Sequence, residues 1–338
     1  MGADAFYIGR VIIRFPACPS SMSEPAPPHD AVSVIEQEFI VDEPCPVAVD
    51  LPRARVHLRP GAESDRVGIR VSVSGCPPAD ADAALDKMQV NTQQVKDTVR
   101  VTAASSPAAA EWWRWVRTSD VTLHVALALP RRIEADLRIP GGEVDVEDLG
   151  GEIDLKVMGG VCEVTNLSGQ LSIRAESTDV AISDFSGTDL DVRVAVGRLT
   201  LEDVEADTLE LQSVAAPVEL RNVRGASTIT TNSTELHIED PEGPCTARSQ
   251  GGAVTFDGRP TDDTELTVVG APLTVRLPAD HAADLAMQGE TLSLDERFAF
   301  EGERTDHMIE GTLNDGGPSL LARAVGGSGA CRIEAVQA

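Results

Sequence analysis

A chain of 338 residues with 42% hydrophobic content can bury a large core, which excludes a disordered protein, yet only 3% of it is aromatic. Its formal net charge is −27, from 55 acidic and 28 basic residues, so nucleic acid and anionic lipid are disfavoured as ligands. A core of Val, Leu, Ile and Ala with few rings suits many small, similar packing layers rather than one globule.

In chain order, the segment 1–31 reads as a disordered or mis-annotated extension whose true start is expected at Met22. Its apolar run is interrupted by Arg10 and Arg14, unlike a secretory signal core, and no stretch of the chain has the ~20 apolar residues of a bilayer span. The expected location is therefore cytoplasmic, with the cell surface as the alternative. Alternating stretches come next, at 32–41, 46–60, 66–73, 98–104 and 119–130, and ADADAALDKM (79–88) reads as a short helix. Residues 32–131 are accordingly expected to form a small β-domain that caps one end of the remaining chain. Within them EWWRWVR (111–117) gathers Trp112, Trp113 and Trp115 beside Arg114 and Arg117, a composition that suits a partner-binding patch. Packing of the rings on the cap is the structural alternative.

From about residue 132 the chain repeats. The phrases CEVTNLSG (162–169) and VAISDFSG (180–187) share a pattern of residue types, and aligning on their last residue gives anchors at Gly151, Gly169, Gly187, Ala206, Gly225, Gly243, Thr261 and Asp280. These are 18 or 19 residues apart. Seven before each anchor stand Val144, Cys162, Val180, Leu199, Val218, Leu236, Val254 and Leu273; five before stand Val146, Val164, Ile182, Leu201, Leu220, Ile238, Phe256 and Val275. Both columns recur at Leu292 and Leu294. A second apolar pair leads each repeat, from Ile153/Leu155 to Ala283/Leu285, nine residues ahead of the first. Nine residues is too short for a helical crossover, and a fixed period with fixed columns is what stacked coils require. The prediction is an all-β chain: a parallel β-solenoid (β-helix) of about nine rungs of 18–19 residues within 132–336, with a C-terminal closing rung.

Two residues beyond the second strand runs a polar column, Asp148, Asn166, Asp184, Asp203, Asn222 and Asp240, then Gly258. These types tolerate left-handed backbone angles, so the column reads as a ladder of turns. A row of carboxylates holding a cation such as Ca²⁺ is the alternative. No CxxC or other metal spacing occurs among the six cysteines, and no metal or cofactor is expected.

VAVDLPRARVHLRPG (47–61), VTLHVALALPRRIEADLRIPGGEVDVEDLGGEIDL (121–155) and GTLNDGGPSLLARAVGGSGACRIE (311–334) resemble, in that order, segments of the bacterial adhesin-like domains of unknown function labelled DUF4097. The resemblance covers about Glu36 to Glu334. It implies a β-repeat fold and an adhesin-like role, and it supplies no catalytic residues. Nothing in the residues themselves reads as a nucleophile motif, zinc motif or phosphate loop. Asp145 and Glu163 would face outward one rung apart, the arrangement a carbohydrate-active β-helix would use. The reading is a non-enzymatic structural or interaction protein whose partner is another protein or a second copy. A carbohydrate-binding or carbohydrate-active β-helix is the alternative.

Overall fold

The computed structural model describes residues 32–103, 121–327 and 329–336. Among them are 22 strands and one α-helix. First come β1 (Val32–Ile40), β2 (Cys45–Asp50), β3 (Ala54–Pro60), β4 (Arg66–Ser74), α1 (Ala81–Met88), β5 (Val90–Val95), β6 (Thr98–Ala103) and β7 (Thr122–Leu129). The repeats begin with β8 (Arg132–Glu147), β9 (Gly150–Val194), β10 (Gly197–Val214) and β11 (Val218–Asn232), long strands that turn rung corners without a break. Shorter strands continue them: β12 (Leu236–Glu239), β13 (Cys245–Gln250), β14 (Val254–Asp257), β15 (Thr264–Val269), β16 (Leu273–Pro278), β17 (Ala283–Gly289) and β18 (Thr291–Leu294). The chain then forms β19 (Phe300–Arg304), β20 (Met308–Leu313), β21 (Ser319–Val325) and β22 (Ala330–Val336).

The rungs stack in parallel, as the period requires. Leu199 pairs with Val180 on one side and Val218 on the other, and the row continues through Leu236, Val254 and Leu273. The leading pairs form a second row through Leu190, Leu209, Ser227, Cys245 and Thr264. Every residue of both rows is buried, and one hydrophobic core runs the length of the stack. Burying each large column side chain contributes about 1.5–3 kcal/mol relative to exposure, offset by the entropy of ordering the chain. The parallel β-solenoid is therefore the observed fold.

Two features of the stacking are absent from the repeat pattern. β2 and β3, whose predicted single stretch breaks at Arg53 (φ 53°), pair in parallel register with β8, and β6 and β7 lie outside them. At the other end β17 and β18 do not stack directly on β15 and β16. β21 lies between β15 and β17, and β22 between β16 and β18. Leu292 and Leu294 thus belong to the outermost rung, where they are half-buried. Antiparallel strands finish the ends: β5 on β6, β4 and β1 on β7, and β20 and β19 on β17. They cover edges that would otherwise invite further pairing.

Candidate interaction surface

The Asp/Asn column marks one corner of the stack. Asp148, Asn166, Asp184, Asp203, Asn222 and Asp240 have φ between 47° and 56°, and Gly258 continues the series at 139°. At this corner the chain must bend into the left-handed region, which a short carboxylate or amide accepts more readily than a bulky side chain. The side chains bond along the stack: Asn166 Nδ2 donates to Asp148 Oδ1 at 2.5 Å, and Asn222 Nδ2 to Asp203 Oδ1 at 2.9 Å. Asn amides thus supply the partner for the neighbouring carboxylates. Among the described residues no group of three or more His, Cys, Asp or Glu is placed to hold a metal ion. Trp112, Trp113, Trp115, Arg114 and Arg117 lie outside the described residues.

Each rung presents outward side chains on two long faces. On the face built from the leading strands, alternation puts Asp136, Asp154, Asp191 and Glu210 in one row and Arg138, Lys156, Arg174 and Arg193 in the next. Ion pairs stitch them together: Lys156 Nζ lies 3.0 Å from Asp154 and 3.5 Å from Asp136, and Arg193 Nη2 lies 3.1 Å from Asp191 and 3.8 Å from Glu210.

Beside Gln170 and Ser172 of the intervening rung, the face dips. The dip holds about 230 Å³ between Glu152 and Asp154 on one side and Asp189 and Asp191 on the other. It shares Glu152 and Gln170 with a groove of about 700 Å³ at the corner, bounded also by Arg131, Arg132, Glu134 and Asp148. Asp154 Oδ1 and Asp191 Oδ1 are shielded from solvent and lack hydrogen-bond partners, although Arg174 Nη1 stands 3.6 Å from the former. Two carboxylate oxygens with spare acceptor capacity thus flank the dip. Together the dip and groove form an open, acid-rich trough.

The opposite face carries a second cluster, where β3 meets β8. Asp145 Oδ2 lies 3.1 Å from His57 Nδ1 and accepts a bond from Arg59 Nη2 at 3.3 Å, while the same Nη2 donates to Glu147 Oε1 at 2.7 Å. The hydrogen bond from His57, assisted by the charges of His57 and Arg59, outweighs partial burial and holds the Asp145 carboxyl below the ordinary carboxylate range. Asp145 and Glu163 are indeed opposite one another on adjacent strands. A carboxylate held ionised in this way suits an ion-pair network better than proton donation to a glycosidic oxygen. The cluster was illegible in the sequence because His57 and Asp145 are 88 residues apart and β3 precedes the repeat. Its one available signal was VHLR (56–59), an alternating stretch that puts His57 and Arg59 on the same side.

The five described cysteines are all free of disulfides, and four are buried. Burial pushes the Cys45 thiol up to about 11 and the Cys162 and Cys331 thiols up to about 12, which keeps them protonated and unreactive.

The sequence pattern of the Toastrack DUF4097 family matches residues 81–262, more than half of the chain. The chain belongs to that family. The match spans α1, the strands β5 to β14, and hence the trough and the central Toastrack rungs. Similar solved structures include a "putative adhesin" from Bacteroides fragilis, at 11% identity and a TM-score of 0.32, over 91% of this chain and 98% of that chain. Another is a "putative cell adhesion protein" from Clostridium sporogenes, at 11% identity and a TM-score of 0.20, over 89% and 99%. No curated protein matches the chain. Among the described residues no helix is long and apolar enough to cross a membrane.

Proposed function

We propose that this Toastrack chain is a non-enzymatic, adhesin-like interaction protein, and that the acidic trough on its leading-strand face receives a basic segment of a partner protein. The observation that carries the reading is the dip over Ser172, flanked by Glu152, Asp154, Asp189 and Asp191. Its surroundings are a rigid stack whose inward side chains are fully committed to the core. A Lys or Arg head group entering the dip would meet the exposed Glu152 and Asp189 carboxylates, with Asp154 and Asp191 beneath them, and the overall charge of −27 favours the approach of a basic segment. A carbohydrate ligand is the competing reading. In rungs β8–β16 the only aromatic side chains, Phe185 and Phe256, are buried, so that face offers sugar rings no stacking platform.

The test is calorimetric titration of an arginine-rich peptide into the full chain and into the Asp154→Asn/Asp191→Asn double variant. The expected result is at least about tenfold weaker binding by the variant, with affinity for the unmodified chain falling as salt rises. Equal affinity in the two proteins would overturn the assignment of the trough. Binding of neutral oligosaccharides lost in the same variant would favour the competing reading.

A further inference from the structure

The chain order and the stacking order disagree at the carboxy-terminal end, and the disagreement singles out one strand pair. β17 and β18 continue the repeat one period after β15 and β16, with Leu285 placed 19 residues beyond Leu266. In the fold, however, Leu266 lies beside Ala322 and Ala322 beside Met287, while Leu285 lies beside Leu320 and Leu320 beside Thr264. The slot between the two rungs is therefore about 9.6 Å wide, two strand spacings, and β21–β22 fill it. Both edges of each strand are hydrogen-bonded, β21 to β15 and β17, and β22 to β16 and β18. Leu320, Ala322, Ala324, Cys331, Ile333 and Ala335 are buried there.

The slot also carries its own clamps. Asp263 Oδ1 accepts the Ser319 N–H at 3.1 Å at one end of the inserted pair. At the other, Asp295 Oδ2 accepts the Ala335 N–H at 3.2 Å, and Arg297 donates to the Ala335 carbonyl. These side chains belong to the receiving body and grip backbone atoms of the guest, so they would grip the same segment from any copy. The connection from β20 is the short hinge Asn314–Pro318, with Asn314 at φ 54° and Gly316 at φ 74°. Asn314 Nδ2 is tied down to the carbonyls of Ala279 (3.3 Å) and His281 (2.6 Å). Asn and Gly accept left-handed and extended angles alike, so the hinge can adopt a closed or an open form while the guest strands find the same bonding partners in a neighbour.

We propose that the strand pair 319–336 is exchangeable between copies, so that a second copy of this chain can donate its pair into the slot between β15–β16 and β17–β18. Every hydrogen bond and apolar packing interaction that one chain gives up is formed again in the other, and the balance is set by concentration and by the hinge. This strand-exchanged dimer is independent of the trough, which lies on rungs far from the slot in the stacking order.

The test uses full-length chains carrying Cys18→Ser and Cys76→Ser, with Thr267→Cys in one and Arg323→Cys in another. Residues 267 and 323 are facing partners on β15 and β21, and both point outward, so neither change disturbs the core. The two proteins are unfolded together, refolded at high concentration under reducing conditions, and oxidised once folded. The expected product is a covalent dimer linked through positions 267 and 323. A control chain carrying both substitutions, cross-linked within itself beforehand by a reductant-stable bismaleimide, is expected to give at least about tenfold less dimer by sedimentation. Refolded chains that show no 267–323 link between molecules would overturn the proposal. So would an unmodified chain that stays as strictly monomeric as the self-linked control at every concentration.

Discussion

At Gly169 an added Cβ would stand 2.3 Å from the carbonyl oxygen of Gly151, at a φ of 115°. Successive rungs touch there through their backbones, so neither side has a flexible atom to move aside. Gly169→Ala is expected to destabilise the fold by roughly 3 kcal/mol or more, read as a fall in the urea midpoint. At Gly270, where φ is 79° but nothing lies within 4 Å, the same change should cost only about 1 kcal/mol. Equal effects at the two positions would contradict the close approach of rungs at the anchor corner. His281 is a second sensitive residue: it is buried, its Nε2 lacks a partner, and burial, reinforced by Arg259, depresses its pKa. The unfolded chain therefore binds a proton that the folded chain resists. Stability is expected to fall as pH drops below about 6.5, and His281→Gln should flatten that slope in denaturation measured across pH. The left-handed positions at the Asp/Asn corner were legible one by one, because residue type reports local backbone need. The His57–Asp145 contact was not, because it depends on a pairing between strands that no local pattern encodes.

At the scale of the element, what matters is phase. The extra residue of a 19-residue repeat sits at the corner, where pairing between β10 and β11 shifts between Glu205 and Thr208. Deleting Asp207 there should leave the inward rows in place, whereas deleting Glu210 would turn Leu211 outward and drive Gln212 into the core. Thermal unfolding should show a small loss for the first deletion and loss of cooperative folding for the second. The period, the columns and the burial of each strand could be read directly from the chain, since every rung meets the same two neighbours in the same way. The position of β17–β18 could not. The inward residues of β17, Leu285 and Met287, present an apolar row that suits either β15 or β21, and hydrophobic pattern cannot choose between them. The choice is associated with β20 and β19, which close the far edge of β17 and leave its near edge for β21.

Across the whole molecule, a single core ladder carries two long charged faces, with one acid-rich trough and one strand pair inserted out of chain order. Stiffness arises from the stacking, and it keeps outward side chains in fixed rows about 4.8 Å apart, a spacing that a partner's extended segment can match. Both the trough and the exchangeable pair presuppose that order of rungs. Methyl–methyl nuclear Overhauser contacts test it directly. Leu201 should contact Leu220, and Ala322 should contact both Leu266 and Met287, each within about 5 Å. A direct Leu266–Met287 contact with Ala322 remote from both, or no contact between Leu201 and Leu220, would contradict the stack.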